Sequence, residues 1–246
     1  MAMLFATAVA LPRVIAAEPT PGAKRAGAEI QISLCAPANE ILQALDLRPR
    51  GTAIKVWQFD DAALTLFERG LRVRLRVAAD GRSVLTLKVA DQDCMQLDPK
   101  LVPPGEGKCE YDVYGARMAG AVSLTRRLDA KSTKALLAGR VAPAQVLSPS
   151  QIRYLREVVA IWPLPPGIHG LGPMQVRTYR TKGDPYDIDI SQIPGGEQYA
   201  EISRKVPLAD AARLVGVLEA DLSRAGVEMC ADQSSQAVNK LRSLLR

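Results

Sequence analysis

Three arginines with a spacing of two residues, Arg72, Arg74 and Arg76, form the most conspicuous row of chemical groups in the chain. Between Leu71 and Val77 they alternate with aliphatic residues, which is typical of a β-strand with one charged and one apolar face. A guanidinium group binds two phosphate oxygens at once, so such a row suits a polyphosphate anion. A strand face that is simply solvated is the alternative interpretation.

The same alternation recurs along the chain, with acidic as well as basic side chains on the charged faces. One such strand is an ordinary exposed edge, whereas six or more indicate a closed or strongly curved sheet around a charged lumen. This arrangement inverts the usual small barrel, whose interior is filled with apolar side chains. Besides residues 71–77, the predicted strands are 28–35, 84–89, 108–113, 174–181, 186–190 and 199–206, with an extended segment at 53–59.

Helices would then cover the aliphatic outer face of the sheet. Their periodicity predicts a short helix at 37–47, an interrupted helical region at 129–155 and an amphipathic helix at 208–224. Residues 234–246 form another short helix or strand, and the Pro- and Gly-rich residues 163–173 are predicted to be irregular. Since acid clusters hold hard divalent cations, the charged lumen is interpreted as a site for a metal-bound polyphosphate.

Composition excludes several classes of protein. The 246 residues are 48% hydrophobic and 24% charged, which is ordinary globular composition and excludes collagen-like and disordered chains. The net charge of +6 is spread along the chain and suits a small anion better than duplex DNA, so no nucleic acid partner is expected. No apolar run of membrane-spanning length follows the N-terminus. The single histidine, His169, has no Ser or Cys partner pattern, which argues against a triad hydrolase.

The N-terminal residues predict export. Residues 1–11 are apolar and Ala-rich, and 14–17 offer small residues for cleavage, so we assign 1–17 as a signal peptide and 18–27 as a linker. A periplasmic or secreted protein is therefore expected. The absence of Lys and Arg from the first residues favours the alternative, a cytoplasmic protein.

Cysteine usage agrees with export. The four cysteines contain no CxxC motif, and Cys94 and Cys109 flank one Pro- and Gly-rich loop, a geometry that favours a disulfide between them. Cys35 and Cys230 then form the remaining pair. Four buried thiols in a cytosolic protein are the alternative, and the spacing does not support a zinc site.

An ordered set of motifs resembles the CYTH domain, a family of class IV adenylate cyclases, thiamine triphosphatase and inorganic triphosphatases. No single motif is specific, but the set spans residues 28–246 in the family's order. The resemblance implies an α+β fold, an eight-stranded antiparallel β-tunnel with helices packed outside. The motifs lie at 59–60, 66–74, 85–88, 108–112, 180, 189, 200–202 and 239–241.

By this resemblance, basic residues bind the triphosphate and acidic residues hold Mg²⁺ or Mn²⁺. The phosphate-binding positions are Arg72, Arg74, Lys88, Lys108, Arg180 and Lys240. The metal-binding positions are Glu29, Glu110, Asp112, Asp189 and Glu201.

The chain departs from the family pattern mainly on the acidic side. Four positions that are charged in the family carry neutral residues here: Gln31, Ser33, Ser191 and Ser203. Since Mg²⁺ is held by carboxylates together with substrate oxygens, we expect a weakly held metal, and no catalytic residue is assigned.

Three functions follow from this asymmetry between bases and acids. The favoured hypothesis is a tunnel that binds triphosphate or polyphosphate-type anions, with weakened or lost metal-dependent hydrolysis. The alternatives are an active Mg²⁺- or Mn²⁺-dependent inorganic triphosphatase and an exported, non-catalytic scaffold. The retained bases argue against the scaffold, and the missing acids argue against the active enzyme.

Overall fold

Nine β-strands close into a barrel in the computed structural model, which describes residues 27–182 and 186–245. A tenth, two-residue strand is attached to the outside of this ring by pairing with one of the nine. The strands are β1 (Gly27–Leu34), β2 (Arg48–Pro49), β3 (Ile54–Asp60), β4 (Leu71–Val77), β5 (Ser83–Val89), β6 (Gly107–Tyr114), β7 (Arg117–Leu128), β8 (His169–Arg180), β9 (Asp187–Gln192) and β10 (Gln198–Pro207).

The order of the strands around the ring is β8-β3-β4-β5-β7-β6-β1-β10-β9, and β9 pairs with β8 to close it. Every neighbouring pair is antiparallel except β1 and β6, which run parallel. The expected closed tunnel is confirmed, while the detail of eight antiparallel strands is wrong. A closed ring with an odd number of strands cannot be antiparallel at every contact, so this nine-stranded ring needs a parallel pair.

Strand β7 is the element that the sequence pattern did not reveal. Its centre, Ala119-Gly120-Ala121, lacks the β-branched and aromatic residues that normally indicate a strand. The glycine is required by packing, because a Cβ on Gly120 would lie 1.9 Å from the carbonyl oxygen of Gln92.

Strand β8 begins at His169, five residues before the predicted strand. The irregularity predicted for 163–173 was therefore wrong for its second half. Gly172 has a φ of +124°, and a Cβ there would lie 3.0 Å from the carbonyl oxygen of Val56. The register between β3 and β8 shifts at this point, so the Gly-Pro sequence accommodates a bulge within the strand.

Helices cover the aliphatic outer face of the barrel, as predicted. Residues of β1, β9 and β10 pack against α5 in one buried cluster, and residues of β4, β5 and β7 pack against α3 and α4 in another. The helices are α1 (Ala38–Ala44), α2 (Thr65–Glu68), α3 (Ala130–Leu137), α4 (Pro149–Glu157), α5 (Ala211–Arg224) and α6 (Gln236–Leu244), with 3₁₀ turns at Pro99–Leu101, Pro143–Val146 and Leu208–Asp210.

Burial along β1 alternates strictly, so Ile30 and Ile32 face the outer core while the polar residues between them face inward. Gly27, which was assigned to the linker, is already the first residue of this strand. The predicted signal peptide, residues 1–17, and residues 18–26 of the linker lie outside the described residues. Across the described ranges, no helix has the length and apolar character needed to span a membrane.

Both predicted disulfides are present. Cys94 and Cys109 close a loop of 15 residues, and Cys35 and Cys230 join positions 195 residues apart. The second bond is supported by backbone pairing, since Cys230 N–H donates to the Ser33 carbonyl at 3.0 Å and Cys35 N–H donates to the Glu228 carbonyl at 2.9 Å. It therefore ties the end of β1 to the segment that leads into α6.

Removing the long-range disulfide should destabilise the protein more than removing the local one. In the chain-entropy model a closure of 195 residues contributes about 5 kcal/mol and one of 15 residues about 3 kcal/mol. The double variant Cys35→Ser/Cys230→Ser should therefore show a lower Tm than Cys94→Ser/Cys109→Ser, measured side by side by calorimetry. The reverse order, or four free thiols in the non-reduced protein by mass spectrometry, would contradict this expectation.

Candidate functional site

The barrel encloses a cavity of about 400 Å³. Its walls come from strands on all sides of the ring and from α6, which is the one helix that contributes several side chains to the lumen among the described elements. The charged residues in its lining are Glu29, Arg72, Arg74, Arg76, Lys88, Asp91, Asp112, Arg117, Asp189, Glu201 and Lys240.

The arginine row on β4 points into this cavity. Leu71, Val73 and Leu75 are at most 1% exposed and lie on the outer face of the strand. Because successive side chains of a strand point to opposite faces, the three arginines of the row point inward. Within residues 27–182 and 186–245, none of the three guanidinium groups has a carboxylate oxygen within the 4.0 Å of an ion pair. Their guanidinium groups are thus available to a ligand.

The first arginine of the row is held by a neighbouring turn. The guanidinium carbon of Arg72 lies 4.9 Å from the centre of the Phe67 ring, within cation–π range. Phe67 is placed by the buried Asp60, whose carboxylate accepts hydrogen bonds from the backbone N–H groups of Leu66 at 2.9 Å and Phe67 at 3.0 Å. The Phe59-Asp60 and Leu66-Phe67 motifs therefore serve to orient Arg72.

Burial in the cavity disfavours the charged forms of two arginines of this row. Burial, followed by the charges of Arg76 and Arg72, lowers the pKa of Arg74 to about 9, although the charges of Glu201 and Glu29 oppose this. Burial likewise lowers the pKa of Arg76. Both groups are protonated at neutral pH, so the empty lumen holds positive charges that a bound anion would stabilise.

The lysines of the lumen have partners. Lys88 Nζ forms an ion pair with Asp112 Oδ2 at 2.5 Å, and both side chains are largely buried. Lys240 of α6 donates to Ser191 Oγ at 3.2 Å, and its Nζ lies 5.8 Å from the centre of the Tyr199 ring. Burial lowers the pKa of Lys240, and the charges of Glu201 and Asp189 oppose this shift.

The carboxylates of the lumen lie in different local environments. Asp189 accepts a hydrogen bond from Thr178 Oγ1 at 2.6 Å. Burial raises the pKa of Glu201, an effect that Asp189 and Glu29 reinforce and that Lys240 and Lys88 oppose. Burial, with the charges of Asp112 and Glu201, raises the pKa of the Tyr114 hydroxyl.

The five predicted metal ligands do not form a single coordination group. No group of three or more His, Cys, Asp or Glu side chains able to hold an ion exists among the residues that the structure describes. Glu29, Asp112, Asp189 and Glu201 do line the one cavity, but Asp112 is paired with Lys88. The described residues therefore form no ready-made protein site that surrounds a divalent ion with several oxygen ligands, and the metal prediction is not confirmed.

Three predicted site residues do not line the cavity. Lys108 pairs with Glu110, and Lys205 Nζ lies 3.3 Å from the same Glu110 carboxylate. Burial alone would raise the pKa of Glu110, but Lys108 and Lys205 lower it. Lys108 and Glu110 share the inward face of β6 with Asp112, but they sit earlier in the strand, at the mouth of the tunnel. The expectation that they enter the lumen was wrong for this reason.

Arg180 is the third of these residues. It ends β8, remains exposed and pairs through Nε with Asp187 Oδ1 at 2.8 Å, while Arg50 binds the other oxygen of Asp187 at 2.5 Å. The hydrogen bond and charge of Asp187 raise the pKa of Arg180. Arg180 does not line the lumen, because it ends β8 beyond Met174 and Val176, the residues of this strand that line the cavity.

Several lining residues were not anticipated as site residues. Neutral side chains give no charge signal, and Arg117 belongs to the unrecognised strand β7. The Gln233 amide, in addition, accepts from Ser33 N–H at 2.6 Å and donates to the Ser33 carbonyl at 3.0 Å. No sequence pattern links two residues that are 200 positions apart. The unanticipated lining residues include Gln58, Thr86, Tyr114, Arg117 and Gln233.

The fold is similar to solved structures, although the sequence matches no family model and no curated protein. One similar structure is a proposed adenylyl cyclase of Hippeastrum with a dominant triphosphatase activity, at a TM-score of 0.57 and 17% identity, over 88% of this chain and 97% of that one. Another is a proposed adenylate cyclase of Bacillus halodurans, at a TM-score of 0.56 and 13% identity, over 85% of this chain and 96% of that one. The closed barrel of this chain therefore shares its fold with these two proteins.

Proposed function

We propose that the lumen binds a triphosphate or polyphosphate-type anion. The observation that carries this proposal is the row Arg72, Arg74 and Arg76, which is enclosed in the cavity without ion-pair partners among the described residues. Three guanidinium groups on one strand face supply several N–H donors suited to phosphate oxygens. A cavity of about 400 Å³ is in the range of small-molecule sites.

Enclosure increases the strength of each contact. Charges interact more strongly in a site with little water than in bulk solvent, because the local dielectric constant is lower. The same enclosure makes the arginines repel one another when the lumen is empty, as the lowered pKa of Arg74 indicates. Binding of an anion therefore relieves repulsion and forms new charge-assisted hydrogen bonds at the same time.

Hydrolysis is proposed to be slow or absent. Phosphoryl transfer depends on positioning and on charge stabilisation by metal ions. In the lumen, Gln31, Ser33 and Ser203 stand on the strands that carry Glu29 and Glu201, and they supply no carboxylate. The alternative, an active metal-dependent triphosphatase, is supported by the triphosphatase activity of the Hippeastrum structural neighbour and by the presence of Glu29 and Glu201 in one cavity.

The chain is proposed to act outside the cytoplasm as one CYTH-like domain over residues 28–246. Two disulfides support an oxidising compartment. Inorganic polyphosphate-type anions are then more accessible ligands than ATP. A scaffold without a ligand remains the third candidate, and the binding test below separates it from the other two.

Replacing Arg74 by alanine should weaken tripolyphosphate binding by about tenfold to a hundredfold, the effect of one lost charge-assisted hydrogen-bonding group. Isothermal titration calorimetry measures this directly. The free variant should have a Tm equal to or above that of the native protein, because a group repelled by Arg72 and Arg76 has been removed. Arg140→Ala, at an exposed arginine after α3, is the matched control and should bind normally.

The absence of a tripolyphosphate-induced rise in Tm for the native protein would contradict the proposed function and favour the scaffold. Equal losses of affinity in Arg74→Ala and Arg140→Ala would place the anion outside the lumen.

Native protein should release phosphate from tripolyphosphate slowly or not at all with Mg²⁺ or Mn²⁺. The double variant Gln31→Glu/Ser203→Glu adds two carboxylates at directly paired positions of β1 and β10 and should raise metal-dependent turnover. A phosphate-release assay provides the measurement, with Lys131→Glu on the outer helix α3 as a charge-change control. Fast native turnover would instead establish the triphosphatase alternative.

A further inference from the structure

We propose that the lumen takes its polyphosphate as the metal-free anion, because two lysines of the chain itself lie beside three of the four predicted metal ligands in the lumen, where a divalent cation would otherwise be attracted. This inference rests on the proposed function and adds the charge state of the ligand. It follows from the positions of Lys88 and Lys240 relative to the acids that they accompany.

Lys88 neutralises the first of these acids. Its ammonium group lies 2.5 Å from Asp112 Oδ2, and the side chains are 19% and 8% exposed. A buried ion pair of this kind is costly to separate, since removal of one partner leaves an uncompensated charge. A metal ion at Asp112 would have to compete with the charge of Lys88, which already lies against one oxygen of that carboxylate.

Lys240 accompanies the second group of acids. Its Nζ is held by Ser191 Oγ and faces the Tyr199 ring, and these two residues are directly paired across β9 and β10. The next inward-facing pair on the same two strands is Asp189 with Glu201. The Lys240 ammonium group therefore contacts the cross-strand pair next to the two carboxylates, inside the same cavity.

A fixed ammonium group and a divalent ion would each balance the negative charge of the same carboxylates. An ammonium group is a compact point charge, so it balances carboxylate charge without the octahedral oxygen shell that Mg²⁺ requires. Ser191, which would be a ligand if it were acidic, here accepts a hydrogen bond from that ammonium group. The Lys240 ammonium group thus provides, as part of the chain, the positive charge that a divalent cation would bring to Asp189 and Glu201.

The consequence concerns the ligand. With Lys88 beside Asp112 and Lys240 beside Asp189 and Glu201, Arg72, Arg74 and Arg76 remain to bind the anion. A polyphosphate that carries Mg²⁺ has two fewer negative charges and hence a weaker attraction to these guanidinium groups. Mg²⁺ should thus compete with the protein for the anion and not bridge the two.

Calorimetric titration of the native protein with tripolyphosphate, once in EDTA and once in excess Mg²⁺ at equal ionic strength, tests the inference. We expect binding in EDTA, about tenfold tighter than in Mg²⁺. Binding that requires Mg²⁺, or is tightened by it, would overturn the metal-free ligand while leaving the proposed function intact. No binding in either condition would overturn both.

A second measurement needs no phosphate ligand. Lys240→Gln removes the ammonium group beside Asp189 and Glu201, so Mg²⁺ alone should raise the Tm of this variant and leave that of the native protein unchanged. Lys131→Gln, on the exposed face of α3, is the matched control and should behave as native. Equal Mg²⁺ effects in all three proteins, including no effect in any, would overturn the role assigned to Lys240.

Discussion

Repulsion among Arg72, Arg74 and Arg76 is the constraint on which the rest of the lumen depends. Their spacing places three guanidinium groups on one face of β4, and closure of the barrel leaves these side chains only partly exposed to water. Burial and mutual repulsion shift the pKa of Arg74 downward for this reason. The fold tolerates the row because its opposite face contributes leucines and valines to a buried core against α3 and α4. The outer face of β4 thus contributes to the stability of the fold, and the arginines of its inner face remain able to bind an anion.

The remaining charges of the lumen are arranged around this row. Lysines accompany acids, through the Lys88–Asp112 pair and through Lys240 near Asp189 and Glu201. Lys240 depends in turn on the position of α6, which follows the Cys35–Cys230 disulfide in the chain. Gln233, between that disulfide and α6, bonds to both backbone groups of Ser33. A covalent bond and a bidentate amide therefore fix the segment that supplies the last lumen cation.

Sequence patterns predicted the fold well where alternation was strong. Strand β4 coincides with the predicted residues 71–77, and β1 differs by one residue at each end. Strand β7 was not predicted because its Ala-Gly-Ala centre, which packs closely against Gln92, lacks the residues that normally indicate a strand. The parallel pairing of β1 with β6 is a property of ring closure, and no local pattern encodes it.

The site was predictable in kind but less so in extent. Alternation identifies which residues face inward, yet it does not show how far along a strand the cavity reaches. The sequence pattern therefore did not predict that Lys108 and Arg180 lie at the mouth, in ion pairs with Glu110 and Asp187, while residues on the same strand faces line the lumen.

A crystal structure of the protein grown with tripolyphosphate and EDTA tests the central claim most directly. The account predicts phosphate density in contact with Arg72, Arg74 and Arg76, whereas an empty arginine row with the anion bound on the outer surface would contradict it.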